Sequence, residues 1–192
     1  MITNTELLNK IDEWNLEISQ NDKHIHYGLL EIFIEFEKFL TESFIAYSLK
    51  DEGKNNFKPV LRINFIDEDH LFGLLKCDKV YIDYIKKIQE VKKFIFEEIS
   101  CPFNKVFSTS EFQTYFSQIK ILRDFIAHQS KESKYKYLTK VLNPNGINTY
   151  IKADTFLKKI NTNKSKSYYS IYIDSLKFYS EIICDPRVNT TV

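Results

Sequence analysis

Apolar residues recur at spacings of three and four along most of the chain, which is the pattern of amphipathic α-helices. The first stripe consists of Leu7, Leu8, Ile11, Trp14 and Ile18. Thr3-x-x-Glu6 precedes it as a capping box, a signature of a helix N-terminus. The same periodicity predicts five long helices, near residues 3–20, 23–49, 68–99 with a bend at Cys77-Asp78, 108–129, and from Ser165 or Ser167 to residue 184.

Shorter segments connect these helices. Residues 51–59 are predicted to form a loop, and residues 60–65 a short strand or an extended link. Asn143-Pro-Asn-Gly146 is a strong turn signal, and residues 147–160 are predicted to be a short extended piece followed by a short helix. The pattern therefore predicts one all-α domain over residues 1–192, a helical bundle with a short irregular or extended insertion. Residues 185–192 are expected to form a loose tail.

Composition supports this fold class. The 192 residues include 16 Phe and 12 Tyr, which demand a buried core, and only 4 Gly and 4 Pro. So few turn residues argue against a many-stranded β-sandwich. No apolar run reaches the roughly 20 residues of a membrane span. The first residues lack a signal-peptide pattern, and the three cysteines are scattered, so we expect a cytoplasmic protein without disulfides or a zinc site.

Charge is distributed unevenly along the chain. Residues 1–52 contain 11 acidic residues and 4 Lys, a net charge of −7, whereas residues 131–166 contain 9 Lys and two acidic residues, a net of +7. Such asymmetry is a reason to look for a polyanionic partner of the basic segment. The alternative is that these lysines are ordinary solvated surface.

One constellation of residues could carry chemistry. Arg123, Asp124 and His128 lie within six residues at the end of an amphipathic helix. Asp124 and His128 are four residues apart and share a helix face, so we expect a hydrogen bond that orients the imidazole and raises its pKa. Arg123 and His128 lie about 140° apart with roughly 7.5 Å of rise. They could therefore converge only with a second copy of the helix across a two-fold axis.

The order of these residues resembles the motif of the HEPN superfamily, the higher-eukaryote and prokaryote nucleotide-binding domains. In that motif a polar residue follows an Arg, and a His follows after three further residues. The residues that match are Arg123, Asp124 and His128, and long helices precede the motif as in that family. The resemblance implies a small all-α domain that dimerises so that two motifs form one composite cleft. It also implies a metal-independent endoribonuclease without a cofactor, of the kind found in toxin–antitoxin and antiphage defence systems.

The chemistry of RNA cleavage suits these residue types. Attack by the 2′-hydroxyl needs a base, the leaving 5′-oxygen needs an acid, and the phosphorane needs positive charge. His128 suits the first two tasks, and Arg123 can clamp phosphate oxygens with a charge that does not titrate. No carboxylate cluster suggests a metal. The structural alternative is a helix-end hydrogen bond between Asp124 and His128 with Arg123 in a surface salt bridge.

The basic segment directly follows His128 and interleaves lysines with aromatic residues. We expect lysines to follow an RNA backbone and exposed tyrosines to stack on bases, or the tyrosines to pack in the core instead. The predicted RNA-binding residues are Lys131, Lys134, Tyr135, Lys136, Tyr137 and Lys140. The remaining histidines, His24, His26 and His70, are expected to be packing, capping or surface residues.

The sequence thus favours a homodimeric endoribonuclease that acts on single-stranded RNA, with an antitoxin or another protein as a possible further partner and no membrane association. A second hypothesis is a non-catalytic HEPN-type module that binds RNA or a protein. A third is a helical interaction protein in which the motif is coincidental and the acidic residues 1–52 form the contact surface.

Overall fold

Helices dominate the chain, as the apolar periodicity predicts. The computed structural model describes residues 1–75 and 84–187. The helices are α1 (Thr5–Gln20), α2 (Ile25–Ser48), α3 (Glu68–Leu75), α4 (Tyr84–Ile95), α5 (Asn104–Phe107), α6 (Ser110–His128), α7 (Lys131–Tyr137), α8 (Ala153–Lys158) and α9 (Tyr168–Cys184). Strands β1 (Ile160–Asn161) and β2 (Lys166–Ser167) pair antiparallel. The predicted mainly α class is confirmed.

Helix α9 begins where one of the two sequence signals places it. The Ser167 hydroxyl accepts a hydrogen bond from the Ser170 backbone N–H at 3.1 Å, which satisfies a free donor of the first turn. Helix α6 begins two residues later than Ser108, because the Ser108 N–H still donates to the Asn104 carbonyl at the end of α5.

The predicted helix over residues 68–99 ends earlier than expected. Helix α4 stops at Ile95, because the chain then pairs with residues 60–62 in an isolated bridge between Leu61 and Phe96. The Arg62 N–H donates to the Ile95 carbonyl, and the Glu97 N–H donates to the Val60 carbonyl, both at 2.8 Å. Residues 60–62 are therefore the extended link that the sequence allowed. The predicted bend at Cys77-Asp78 lies outside the described residues.

The basic segment is more helical than its pattern predicted. Helix α7 continues into a π-helical turn over Leu138–Leu142 and a 3-10 turn over Asn143–Asn145. Gly146 ends this run with φ +73°, a left-handed conformation that glycine adopts without a Cβ penalty. The turn predicted from Asn143-Pro-Asn-Gly146 is confirmed, and the short hairpin β1–β2 adds two strands that the sequence did not predict.

The chain forms two compact units, and helices α2 and α9 contribute residues to both. The first unit contains residues 1–5, 36–109 and 179–192. Its core is a cluster of aromatic rings in which Phe103 contacts Phe44, Tyr47, Phe96 and Phe107 at centroid distances of 5.8 to 6.2 Å. The prediction of a single domain over residues 1–192 stays a prediction.

The C-terminal end of α9 is anchored inside this first unit. The buried Tyr47 hydroxyl donates to the Ile183 and Cys184 carbonyls at 2.7 and 3.1 Å, which satisfies two groups that a helix end leaves free. Gly53 lies so close to the Tyr47 hydroxyl and the Cys184 carbonyl that a Cβ would overlap both. The contact therefore requires glycine at this position.

The second unit contains residues 6–35 and 110–178 and holds the predicted motif. Its core is a chain of stacked and edge-on rings. Phe125 stacks on Tyr137 at 4.7 Å, and Phe156 stacks on Tyr168 at 4.4 Å. The buried Tyr172 hydroxyl donates to Gln118 Oε1 at 2.8 Å. These contacts hold α7 and α9 against α6, and α8 against α9.

Candidate functional site

The predicted motif lies on the last two turns of α6. The Gln129 N–H donates to the Phe125 carbonyl at 3.0 Å, and Gln129 itself adopts φ +45°, so the helix ends at His128. The Ser130 hydroxyl then accepts from the Ser133 N–H at 3.1 Å and caps α7. A left-handed residue followed at once by an N-cap ends one helix and begins the next within two residues. His128 is therefore placed at the corner between two helices.

Arg123 is held firmly within the second unit. Its side chain is 22% exposed, and Nη1 donates to Asp124 Oδ1 at 2.9 Å. The guanidinium carbon lies 5.9 Å from the centroid of the Phe33 ring on α2, which is within cation–π range. Packing and hydrogen bonding together restrict the rotamers of this long side chain, which lowers the entropy cost of presenting its remaining N–H groups to a ligand.

His128, in contrast, is exposed. Among the residues that the structure describes, the imidazole makes no hydrogen bond and no ion pair. The predicted hydrogen bond between Asp124 and His128 is wrong, because the carboxylate engages the neighbouring guanidinium. A charge-assisted contact to Arg123 is stronger than one to an imidazole at an exposed helix end.

The predicted RNA-binding lysines are all exposed on the segment after His128. They are Lys131, Lys134, Lys136 and Lys140. Lys136 forms an exposed ion pair with Glu132 at 2.6 Å, and the ammonium of Lys134 lies 4.3 Å from the centroid of the Tyr150 ring. Tyr135 is 67% exposed, so its ring is open to a base.

The prediction that Tyr137 binds RNA is wrong. The side chain is 0% exposed and stacks on Phe125, so its ring is not open to an RNA base. It packs in the core, which was the alternative for the tyrosines of this segment. Burial raises the pKa of its hydroxyl well above the usual range for tyrosine, so the group stays protonated.

A cleft of about 350 Å³ opens beside the motif, lined by the C-terminal end of α6, the start of α2 and four residues at the start of α8 and just before it. Phe125, Ile126 and Gln129 contribute one side, and His26 and Tyr27 another. Tyr150, Lys152, Ala153 and Asp154 complete the lining. Arg123, Asp124 and His128 lie outside it, so the motif and the cleft are neighbouring features of the same helix end.

The sequence predicts a packing role for His26 and indicates no role for Asp154. His26 is half-buried, and burial lowers its pKa, while the Asp154 carboxylate and the Lys23 backbone act in the opposite direction. Its Nδ1 is buried and makes no well-formed hydrogen bond in the described residues. The basic character of residues 131–166 pointed to the segment, but only the fold brings residues 150–154 next to α2.

The other histidines are accounted for by local contacts. His24 Nδ1 lies 2.9 Å from Glu17 Oε1, and His70 packs edge-on against Phe65 at 5.5 Å. In the described ranges, no three His, Cys, Asp or Glu side chains are grouped as metal ligands. No helix of the described residues is long and apolar enough to cross a membrane.

Comparison of the chain with models of protein families, with curated proteins and with solved structures finds no match.

Proposed function

We propose that this chain is an endoribonuclease of HEPN type that cleaves single-stranded RNA as a homodimer, in a toxin–antitoxin or antiphage defence system. One observation carries the proposal. An exposed histidine ends α6, a partly buried arginine is held on the same helix five residues earlier, and an exposed row of lysines follows at once.

The geometry of α6 supports a homodimer. Arg123 packs against Phe33 within its own chain, whereas His128 is at the exposed end of the helix. About 140° of rotation separates the two side chains on an ideal helix. A second copy related by a two-fold axis would bring two histidines and two arginines to one cleft.

The reaction then follows from these groups. A neutral His128 accepts the proton of the 2′-hydroxyl, and the 2′-oxygen attacks the phosphorus. A protonated His128 from the other copy donates a proton to the leaving 5′-oxygen, so the products are a 2′,3′-cyclic phosphate and a free 5′-hydroxyl. Arg123 contributes N–H donors and a fixed positive charge to the phosphorane oxygens.

The test is cleavage of labelled single-stranded RNA in EDTA by the purified protein and by His128→Ala. We expect a loss of about 100-fold or more in turnover, the usual scale of a positioned acid–base group. His70→Ala removes an exposed histidine of the other unit and is the matched control, which should cleave at the wild-type rate. Full cleavage by His128→Ala, or a strictly monomeric active protein, would contradict the proposal.

A non-catalytic HEPN-type module is the second candidate. The pairing of Arg123 with Asp124 favours it, because a guanidinium already engaged by a carboxylate has fewer donors for a phosphate. This candidate predicts RNA binding by the wild type with no cleavage in the same assay.

A further inference from the structure

We propose that the cleft beside α6 is a subsite for one unpaired guanine of the RNA strand, an inference that rests on the proposed function for the identity of the polymer. It goes beyond the motif because none of the three motif residues lines the cleft. Size, ring surfaces, hydrogen-bonding groups and charge each restrict what the cleft can hold.

The first restriction is size. A volume of about 350 Å³ lies near the lower end of small-molecule sites, which span roughly 300–1,000 Å³. One base with part of its ribose fits a space of this size, whereas a base-paired duplex does not. The cleft is therefore suited to a base that has left its stack, as in single-stranded RNA.

The second restriction is the aromatic lining. Tyr27 on α2 and Tyr150 in the segment before α8 are 52% and 44% exposed and both line the cleft. Tyr150 is held in place by edge-on contacts with Phe125 and Tyr137, both at 6.4 Å, and by the ammonium of Lys134. A ring fixed in this way loses little entropy when a base stacks on it, and stacking is the usual way in which proteins hold unpaired bases.

The third restriction is the carboxylate of Asp154. Its Oδ1 accepts from the Thr155 N–H at 2.8 Å and from the Thr155 hydroxyl at 3.4 Å, whereas its Oδ2 accepts no hydrogen bond from the described residues. A carboxylate only accepts hydrogen bonds. Guanine presents two adjacent N–H donors on its Watson–Crick edge, whereas uracil, adenine and cytosine each place an acceptor beside a donor. Asp154 therefore selects guanine.

The fourth restriction is charge. Lys158, one turn further along α8, pairs with Asp22 at 2.8 Å and so is engaged away from Asp154. Burial lowers the pKa of His26 and so disfavours its imidazolium form, and neither His26 nor Lys152 forms an ion pair with Asp154 in the described residues. Lys152 is exposed at the same lining and can meet the phosphate of the bound nucleotide.

The position of Gln129 links the subsite to cleavage. Gln129 lines the cleft and directly follows His128, and Phe125 and Ile126 line it from the same helix. A guanine seated in the cleft would fix the neighbouring phosphodiester beside His128. The subsite therefore predicts that cleavage occurs next to guanosine.

The experiment measures binding of two fluorescent 2′-O-methyl oligonucleotides, which cannot be cleaved through a 2′-hydroxyl. One is a short oligouridine and the other carries a single guanosine in the same oligouridine. The wild type should bind the guanosine oligonucleotide about 10-fold more tightly or better, the scale of one good two-pronged base contact. Asp154→Asn should lose this preference and keep its affinity for oligouridine.

Two further variants separate stacking from hydrogen bonding. Tyr150→Ala should bind the guanosine oligonucleotide about 10-fold more weakly, whereas Tyr150→Phe, which keeps the ring, should match the wild type. Asp174→Asn removes an exposed carboxylate that pairs with Lys166 outside the cleft, and it should keep the full guanosine preference.

Equal affinity of the wild type for the two oligonucleotides, or an unchanged preference in Asp154→Asn, overturns the subsite. Cleavage of unmodified RNA by the same preparations tests the proposed function separately. A guanosine preference that depends on Asp154 but comes without cleavage supports the subsite and contradicts the ribonuclease. Cleavage without any guanosine preference contradicts the subsite and leaves the ribonuclease standing.

Discussion

Asp124 Oδ1 accepts a hydrogen bond from Nη1 of its neighbour Arg123 at 2.9 Å, although His128 lies one helical turn ahead on the same face. Adjacent residues point in directions about 100° apart on a helix, so this contact depends on the length and flexibility of the arginine side chain. The contact indicates that Asp124 positions the Arg123 guanidinium and does not orient the His128 imidazole.

The first prediction concerns this pair. Asp124→Asn keeps an acceptor for Arg123 and should retain most of the cleavage rate, whereas Asp124→Ala releases the guanidinium and should lower it by about 10-fold. Arg123→Lys should recover little of the activity lost in Arg123→Ala, since an ammonium lacks the planar pair of donors. A wild-type cleavage rate in Asp124→Ala would contradict this role of Asp124.

A second prediction concerns the exposed lysines after α6. RNA affinity should fall with salt by a log–log slope of about −0.7 per phosphate contacted on a single strand. Replacing Lys131, Lys134 and Lys140 with Gln should reduce the magnitude of that slope, because each lost phosphate contact removes one such increment. Lys10→Gln is the control, since Lys10 is on α1 and pairs with Glu13. Equal slopes for the triple variant and the wild type would assign these lysines to ordinary surface.

A third prediction separates the two tyrosines of α7. The buried Tyr137 hydroxyl has no hydrogen-bond partner among the described residues, so Tyr137→Phe should be neutral or should raise the free energy of unfolding by about 1 kcal/mol. Tyr135→Ala should leave stability unchanged and weaken binding of single-stranded RNA by about 10-fold. Denaturant unfolding and fluorescence anisotropy on the same preparations measure both effects. Loss of RNA affinity in a stable Tyr137→Phe protein would reverse the assignment.

Long amphipathic stripes made α1, α2, α6 and α9 predictable, because a face that is apolar over four or more turns has few other ways to be buried. The hairpin β1–β2 was not predictable, since two residues a strand carry no alternating pattern. The π-helical turn at Leu138–Leu142 shifts the period of the apolar positions and so weakened the helical signal after Ser130.

One part of the candidate site was also predictable from the sequence, and another part was not. The motif was visible because Arg123 and His128 are close in sequence, and the chain order alone places both on one helix. The cleft was not visible, because His26 and Asp154 are 128 positions apart and only tertiary packing places them at the same lining. The predicted hydrogen bond between Asp124 and His128 was wrong because spacing along a helix identifies possible partners of a side chain but does not rank them. Asp124 instead accepts from Arg123.

A fourth prediction concerns the anchored end of α9. Gly53→Ala places a Cβ against the Tyr47 hydroxyl and the Cys184 carbonyl and should lower the free energy of unfolding by about 1–3 kcal/mol. Gly73→Ala is the control, because open space surrounds that position on α3, and it should raise stability by up to about 1 kcal/mol. Thermal unfolding of both variants checks the difference. A Gly53→Ala protein as stable as the wild type would show that the contact can relax.

A fifth prediction concerns acid. The Arg187 guanidinium, with help from Asn55, lowers the pKa of the buried Asp185 carboxyl to about 2. Because the folded-state pKa lies below the unfolded value, this contribution is present above about pH 4 and is lost as the pH falls toward 2. Its size is about 2 kcal/mol. Asp185→Asn should therefore be less stable than the wild type at pH 7, and the difference should shrink at pH 2.

The left-handed backbone of Gln129 sets a trade-off between stability and recognition at the corner of α6. A side chain in this conformation costs about 1 kcal/mol relative to glycine, and glycine is the residue most often found after a helix end. Optimisation for stability alone would install glycine there and remove the amide that lines the proposed guanine subsite. If the proposed subsite binds guanine, a version of this protein stabilised in that way should bind RNA more weakly.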